Sequence, residues 1–149
     1  MATQYVVFSL NEQRYGIEIF KIKEVFSYRE ITPLPHVKGF VKGIINLRGV
    51  ILPVFDLREK FRLPPTEYGR FHVIIVVEIA GRVMGVVADE ISDVLEIQPE
   101  DFQTAGNLPP GISREFLKGV GRKGNNEMVI LLDVDRLLSQ EELEMVDAT

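Results

Sequence analysis

Tyr5-Val6-Val7-Phe8-Ser9-Leu10-Asn11-Glu12-Gln13-Arg14-Tyr15-Gly16-Ile17-Glu18-Ile19 is the stretch on which the fold turns. Val6, Phe8 and Leu10 share one face of an extended chain. Beyond the polar Asn11-Glu12-Gln13, Tyr15, Ile17 and Ile19 again share a face, with Arg14, Gly16 and Glu18 opposite. A period of two on both sides of a three-residue polar turn predicts a β-hairpin. The same text recurs 69 residues later, where Val6, Phe8 and Leu10 fall on Ile75, Val77 and Ile79. Gly16 falls on Gly85, Ile22 on Ile91, Glu24 on Asp93 and Val25 on Val94. Further on, Phe40-Val41-Lys42-Gly43 meets Phe116-Leu117-Lys118-Gly119 at a shift of 76, and Asp56 meets Asp133 at 77. A unit of more than about 60 residues is too long for a solenoid repeat and suits a small lobe with its own core.

The remaining text repeats strand signals. Val73–Val87 forms a second hairpin around Ala80-Gly81, with apolar runs long enough for burial on both faces. Residues 22–28 and 91–97 are the next matched strands. Gly43–Phe55 reads as two strands joined at Arg48-Gly49, with Pro53 at an edge or bulge. Gly121–Asn126 is the matching tip, and Met128–Leu132 the matching strand. Asp56 caps a short helix over 57–61, and Asp133 or Asp135 caps Arg136-Leu137-Leu138. Ser139-x-x-Glu142 opens a last helix reaching about Val146. The expected fold is all-β, with about five short strands per half closed into small barrels to remove exposed edges. The chain of 149 residues forms a single domain, with a seam in Arg62–Arg70 and lobes over 1–65 and 66–149.

Composition excludes several classes of function. A net charge of −5 without a basic stretch argues against nucleic-acid binding. The absence of cysteine removes disulfides, thiolate zinc sites and a cysteine nucleophile. No signal-peptide pattern opens the chain, and the apolar run Val73–Val77 is far too short for a membrane span, so the chain reads as cytoplasmic and soluble. His36 and His72 have no evident catalytic partner, and Gly106–Gly111 and Gly119-Val120-Gly121 lack the features of phosphate loops. Asp89, Glu90 and Asp93 approach a cluster without a third ligand on one face, so no metal, cofactor or catalytic residue is expected. Arg48 stands where Asn or Asp would be the usual turn residue. It is either an exposed turn arginine or a fork that holds a carboxylate across a protein contact.

At Tyr15-Gly16-Ile17-Glu18-Ile19, and then through Phe40–Arg58 with its Lys-Gly-Ile-Ile-Asn-Leu-Arg-Gly core, the chain resembles the CheW family of bacterial chemotaxis coupling proteins. The likeness continues through Val83–Val94 and Phe116–Leu138. It implies two five-stranded β-barrels related by a pseudo-twofold axis, with short helices and a C-terminal helix. It also implies a non-enzymatic adaptor that couples the cytoplasmic tips of methyl-accepting chemoreceptors to the regulatory domain of the histidine kinase CheA, at membrane-bound receptor arrays. Carried over by position, receptor contact falls on Ile22, Gly43, Arg48, Ile91 and Val94, and kinase contact on Ile19 and Glu24. The residues themselves leave plainer roles open: core for Ile22, Ile91 and Val94, a required glycine at Gly43, a solvated charge at Glu24. The same resemblance admits a coupling module of a non-chemotaxis pathway controlling twitching or genes. A CheV-like protein would carry a receiver domain for which 149 residues leave no room.

Overall fold

The computed structural model describes residues 2–34, 41–104, 115–123 and 127–147. His36, Gly106–Gly111 and the tip residues 124–126 lie outside them. Among the described residues eleven strands follow in order: β1 (Thr3–Leu10), β2 (Gln13–Glu18), β3 (Ile22–Ser27), β4 (Val41–Leu47), β5 (Val50–Asp56), β6 (Val73–Ile79), β7 (Arg82–Ala88), β8 (Glu90–Ile97), β9 (Phe102–Thr104), β10 (Leu117–Lys123) and β11 (Glu127–Leu132). Helix α1 (Leu57–Lys60) follows β5, and α2 (Gln140–Asp147) ends the chain.

The strands form two barrel-like sheets, of order β8-β1-β2-β11-β10-β9 and β3-β6-β7-β5-β4. Neither sheet is made by one half of the sequence. The first hairpin, β1–β2, lies in the sheet of β8 to β11, and the second, β6–β7, lies in the sheet of β3 to β5. The division expected at residues 65/66 is a boundary of the repeat and not of the sheets. Two parallel pairings make the exchange, Leu131 beside Gly16 and Val54 beside Gly85, and the repeat carries one onto the other. The expected five strands per sheet become six in one, because β9 pairs with Gly119–Gly121. Among the described residues, its counterpart in the other sheet is only the bridge Thr32–Ile44.

Burial explains why the inner strands are apolar throughout. On β6, Ile74 and Val76 enter a cluster with Ile45, Leu52, Val54 and Val87 inside one sheet. Ile75, Val77 and Ile79 point the other way, into a central cluster. Tyr5 and Val7 on β1 join Ile97, Val129 and Leu131 inside the other sheet. Phe8 and Leu10 enter the central cluster with Ile17, Phe55, Met84, Val86 and Leu132. Each sheet therefore buries one face within itself and the other against its mate, so a period-two strand has no polar side to show. Gly16 and Gly85 occupy equivalent inward positions, where a Cβ would come within 3.1 Å of Leu131 and 2.9 Å of Ile74 respectively.

Several local expectations change. The first turn has two residues, not three: Asn11 and Glu12 have φ of 53° and 68°, and Gln13 already belongs to β2. Positive φ at both turn residues matches the twist of the flanking strands. Pro53 is at neither an edge nor a bulge, since β5 runs between β4 and β7; it precedes by one residue the pairing to β7. The caps at Asp56 and Ser139 stand as read, whereas the cap between them is Asp133, on a 3-10 turn over Val134–Arg136 and not over 136–138. Asp56 accepts from the Arg58 N–H at 2.9 Å, and Asp133 from the Asp135 N–H at 3.2 Å. Ser139 and Glu142 bond reciprocally at 3.1 and 2.8 Å.

Candidate functional site

The β4–β5 hairpin turns on Arg48 and Gly49, with φ of 51° and 87°. The Gly49 N–H donates to Asn46 Oδ1 at 2.8 Å, which pins the turn. β3 and β4 are the two edges of their sheet and share no continuous ladder. Side chains cross between them. Arg48 Nη1 donates to Glu24 Oε2 at 3.1 Å, and Nη2 donates to Oε1, a bidentate pair from the hairpin tip to β3. Arg29, two residues beyond the end of β3, donates from Nη1 to the Asn46 carbonyl at 3.4 Å. The Arg48 hydrogen bond holds the Glu24 carboxyl below its usual range and raises Arg48 in turn. The Arg48 side chain is 71% exposed, so a partner carboxylate can reach it and compete with Glu24. Beside the pair is a cleft walled by Leu47, Val50, Leu52, Val76 and Val83, where Val50 is 58% exposed.

The other residues carried over by position have different surroundings. Ile22 and Ile91 are half-buried against the central cluster. Val94 is open to solvent, as is Val25, its equivalent in the repeat. Gly43 is buried, and a Cβ there would collide with the Thr32 carbonyl oxygen. Gly119, its equivalent, meets the Gln103 carbonyl in the same way. Ile19 lies on a single 3-10 turn, Ile19–Lys21, and is exposed. The structure thus brings Arg48 and Glu24 into one site, although position alone divides them between two partners.

Some exposed apolar residues escaped the sequence reading. Phe20, 71% exposed, continues the register of Arg14, Gly16 and Glu18, and that polar register was the available signal. Val50 and Ile51 are consecutive apolar residues beside a hairpin tip, and both are exposed. Met128, equivalent to Ile51, is exposed as well. Phe71, beside β6, had no such signal.

The polar groups are occupied in structural contacts. Asp89 accepts from Arg58 at 2.8 and 3.1 Å and from the Asn11 N–H at 2.8 Å, with His72 Nε2 at 3.8 Å. Burial pushes the Asp89 carboxyl up, but these donors outweigh it and leave the group below its usual range. Asp93 pairs with Arg14 at 3.1 Å. Asp56 is buried and accepts from the Tyr68 hydroxyl, and burial raises its pKa despite the Arg58 N–H. Among the described residues, no three His, Asp or Glu side chains are grouped to hold a metal ion. Among them, too, no helix is long and apolar enough to cross a membrane.

Residues 4–142 match the family described as CheW-like domain. A relative named Chemotaxis protein CheW, from Klebsiella aerogenes, is 39% identical over 97% of this chain and 86% of its own length. Another of that name, from Treponema pallidum, is 32% identical over 95% of this chain and 85% of the relative. The crystal structure of the scaffolding protein TtCheW from Thermoanaerobacter tengcongensis superposes with a TM-score of 0.82 at 34% identity, covering 92% of each chain.

Proposed function

This chain belongs to the CheW-like domain family, and from that premise we propose that it joins the cytoplasmic tips of methyl-accepting chemoreceptors to the regulatory domain of the histidine kinase CheA. Its general role is that of a chemotaxis adaptor, a scaffold that holds other signalling proteins together. The observation that supports the finer reading is the exposed Arg48–Glu24 pair beside the apolar cleft of Leu47, Val50 and Val83. Exposed apolar strand residues next to a forked cation suit a helical partner that presents an apolar stripe and a carboxylate. The adaptor performs no chemistry in this reading. It acts by binding one arrangement of receptor and kinase better than another, which requires different contacts in the two states.

Receptor contact is assigned to Arg48, Ile22, Ile91 and Val94, with the buried Gly43 holding β4 in place, and kinase contact to Ile19 and Glu24. Co-sedimentation of the purified chain with receptor cytoplasmic fragments and the CheA regulatory domain tests the assignment. Both partners are expected to carry the chain into the pellet. Folded protein that binds neither would overturn the reading. Arg48 and Glu24 are bonded to each other, so each variant is to be measured against both partners: removing either side chain frees the other.

A further inference from the structure

Four strand pairings join the two halves of the chain: β3 with β6, β5 with β7, β1 with β8, and β2 with β11. The central cluster likewise takes Phe8, Leu10, Ile17 and Phe55 from one half and Ile75, Met84, Val86 and Leu132 from the other. Among the described residues, seven ion pairs cross as well: Arg14–Asp93, Arg14–Glu127, Lys21–Asp135, Lys23–Glu78, Arg58–Asp89, Lys60–Glu142 and Lys118–Glu18. Neither half can complete a sheet alone. Covalently, they meet only through the segment 61–72.

That segment is anchored at a few points and open to solvent between them. Residues 64–67 and 69–71 are exposed. At its start Phe61 packs between the Tyr15 and Phe116 rings at 5.5 and 5.4 Å, with Leu63 against the central cluster. Further on, Arg58 Nη1 donates to the Pro64 carbonyl at 2.6 Å, the Tyr68 hydroxyl donates to Asp56 with its ring on Tyr28 at 5.1 Å, and the Tyr28 N–H donates to the His72 carbonyl at 2.9 Å. Pro64-Pro65 favours an extended course and resists a tight reversal.

We propose that two copies of this chain exchange halves, the part before this segment in each copy folding with the part after it in the other. The partner is a second copy of this chain, and the interface is the one already present within the monomer. Every inter-half strand pairing and ion pair is retained in such a dimer, so the two forms differ only in the course of the linker and in the entropy of association. A short linker gives its own partner half an effective concentration on the order of 1 mM. The closed monomer therefore prevails in dilute solution, and exchange competes as refolding concentration approaches that value. The dimer would present two Arg48–Glu24 sites on one particle. The inference stands independently of which partners those sites bind.

The cysteine-free chain gives a clean test. Gln4 on β1 and Glu96 on β8 are directly paired across the halves, and both are exposed. The Gln4→Cys/Glu96→Cys chain is unfolded, refolded at about 0.5 mM, just below the effective concentration, then oxidised and separated by size. The expected dimer fraction runs as a covalent dimer on a non-reducing denaturing gel, whereas protein refolded in dilute solution runs as a cross-linked monomer. Lys23→Cys/Glu78→Cys, which spans β3 and β6, gives the same reading should the first pair oxidise poorly. Wild-type chain refolded alongside is expected to show the same dimer fraction by light scattering. Absence of any dimer at the higher concentration would overturn the proposal, as would a dimer that falls to cross-linked monomers on the gel.

Discussion

At the scale of single residues, Arg48 and Gly43 separate two roles that sequence position had merged. Arg48 occupies the left-handed region, at φ 51°, and is followed by Gly49. An L-residue other than Asn, Asp or Gly is strained there. Arg48→Asn creates the preferred Asn-Gly turn, and its Tm is expected to equal or exceed that of the parent. Its co-sedimentation with receptor fragments is expected to fall sharply. A binding loss matched by a drop in Tm would return Arg48 to a structural role. Gly43→Ala has the opposite signature. The added methyl group meets the Thr32 carbonyl and forces β4 away from the Thr32–Ile44 bridge. A cost of about 3 kcal/mol or more in urea unfolding is expected, with any binding defect following from misfolding. Near-parental stability would instead make Gly43 a contact residue.

Among elements, the hairpins and helix ends differ in how plainly they can be read. The Asn11-Glu12, Arg48-Gly49 and Ala80-Gly81 turns all have positive φ at both central residues. Only those containing glycine announce this in sequence, so the polar run Asn11-Glu12-Gln13 suggests a turn one residue longer than the two-residue turn that forms. The capping box was legible in full, because Ser139 and Glu142 act within one helical turn. Ser139→Ala removes the bond to the Glu142 N–H and is expected to cost about 1 kcal/mol. The loss should register as a lower Tm in calorimetry and as earlier amide exchange in α2, with strands β6 and β7 still protected. Uniform loss of protection would mean that α2 is inseparable from the core.

For the whole molecule, acid stability follows from ion pairs that join the halves. Asp89, Asp135 and Glu142 have carboxyls below their usual range, and each pairs with a base in the other half: Arg58, Lys21 and Lys60. A carboxyl whose folded pKa is depressed stabilises fully above its unfolded pKa, and that contribution is lost as pH falls through the folded value. Stability is therefore expected to decline below the ordinary carboxylate range, near about pH 4. Asp56 works against this trend, since its raised pKa makes its protonated form easier to accommodate in the fold. Urea midpoints measured from neutral pH down to about pH 3, across the carboxylate range, should show the decline, with a shallower slope in Asp89→Asn. An identical slope in that variant would remove Asp89 from the account.

The sequence by itself determined the repeat, the period-two strands and the caps, because these depend on neighbours a few positions apart or on identity across copies. It also singled out Arg48, which stands where a turn residue was expected. Only the tertiary structure decided which strands share a sheet. A repeat states that the halves are alike, but it does not state whether each hairpin pairs within its own half or with the other; apolar strands buried on both faces satisfy either arrangement. The parallel seats of Val54 beside Gly85 and Leu131 beside Gly16 settle it in favour of exchange. Tertiary structure also decided the meeting of Arg48 with Glu24. They are 24 residues apart, and the contact depends on how two sheet edges approach, which no local pattern encodes.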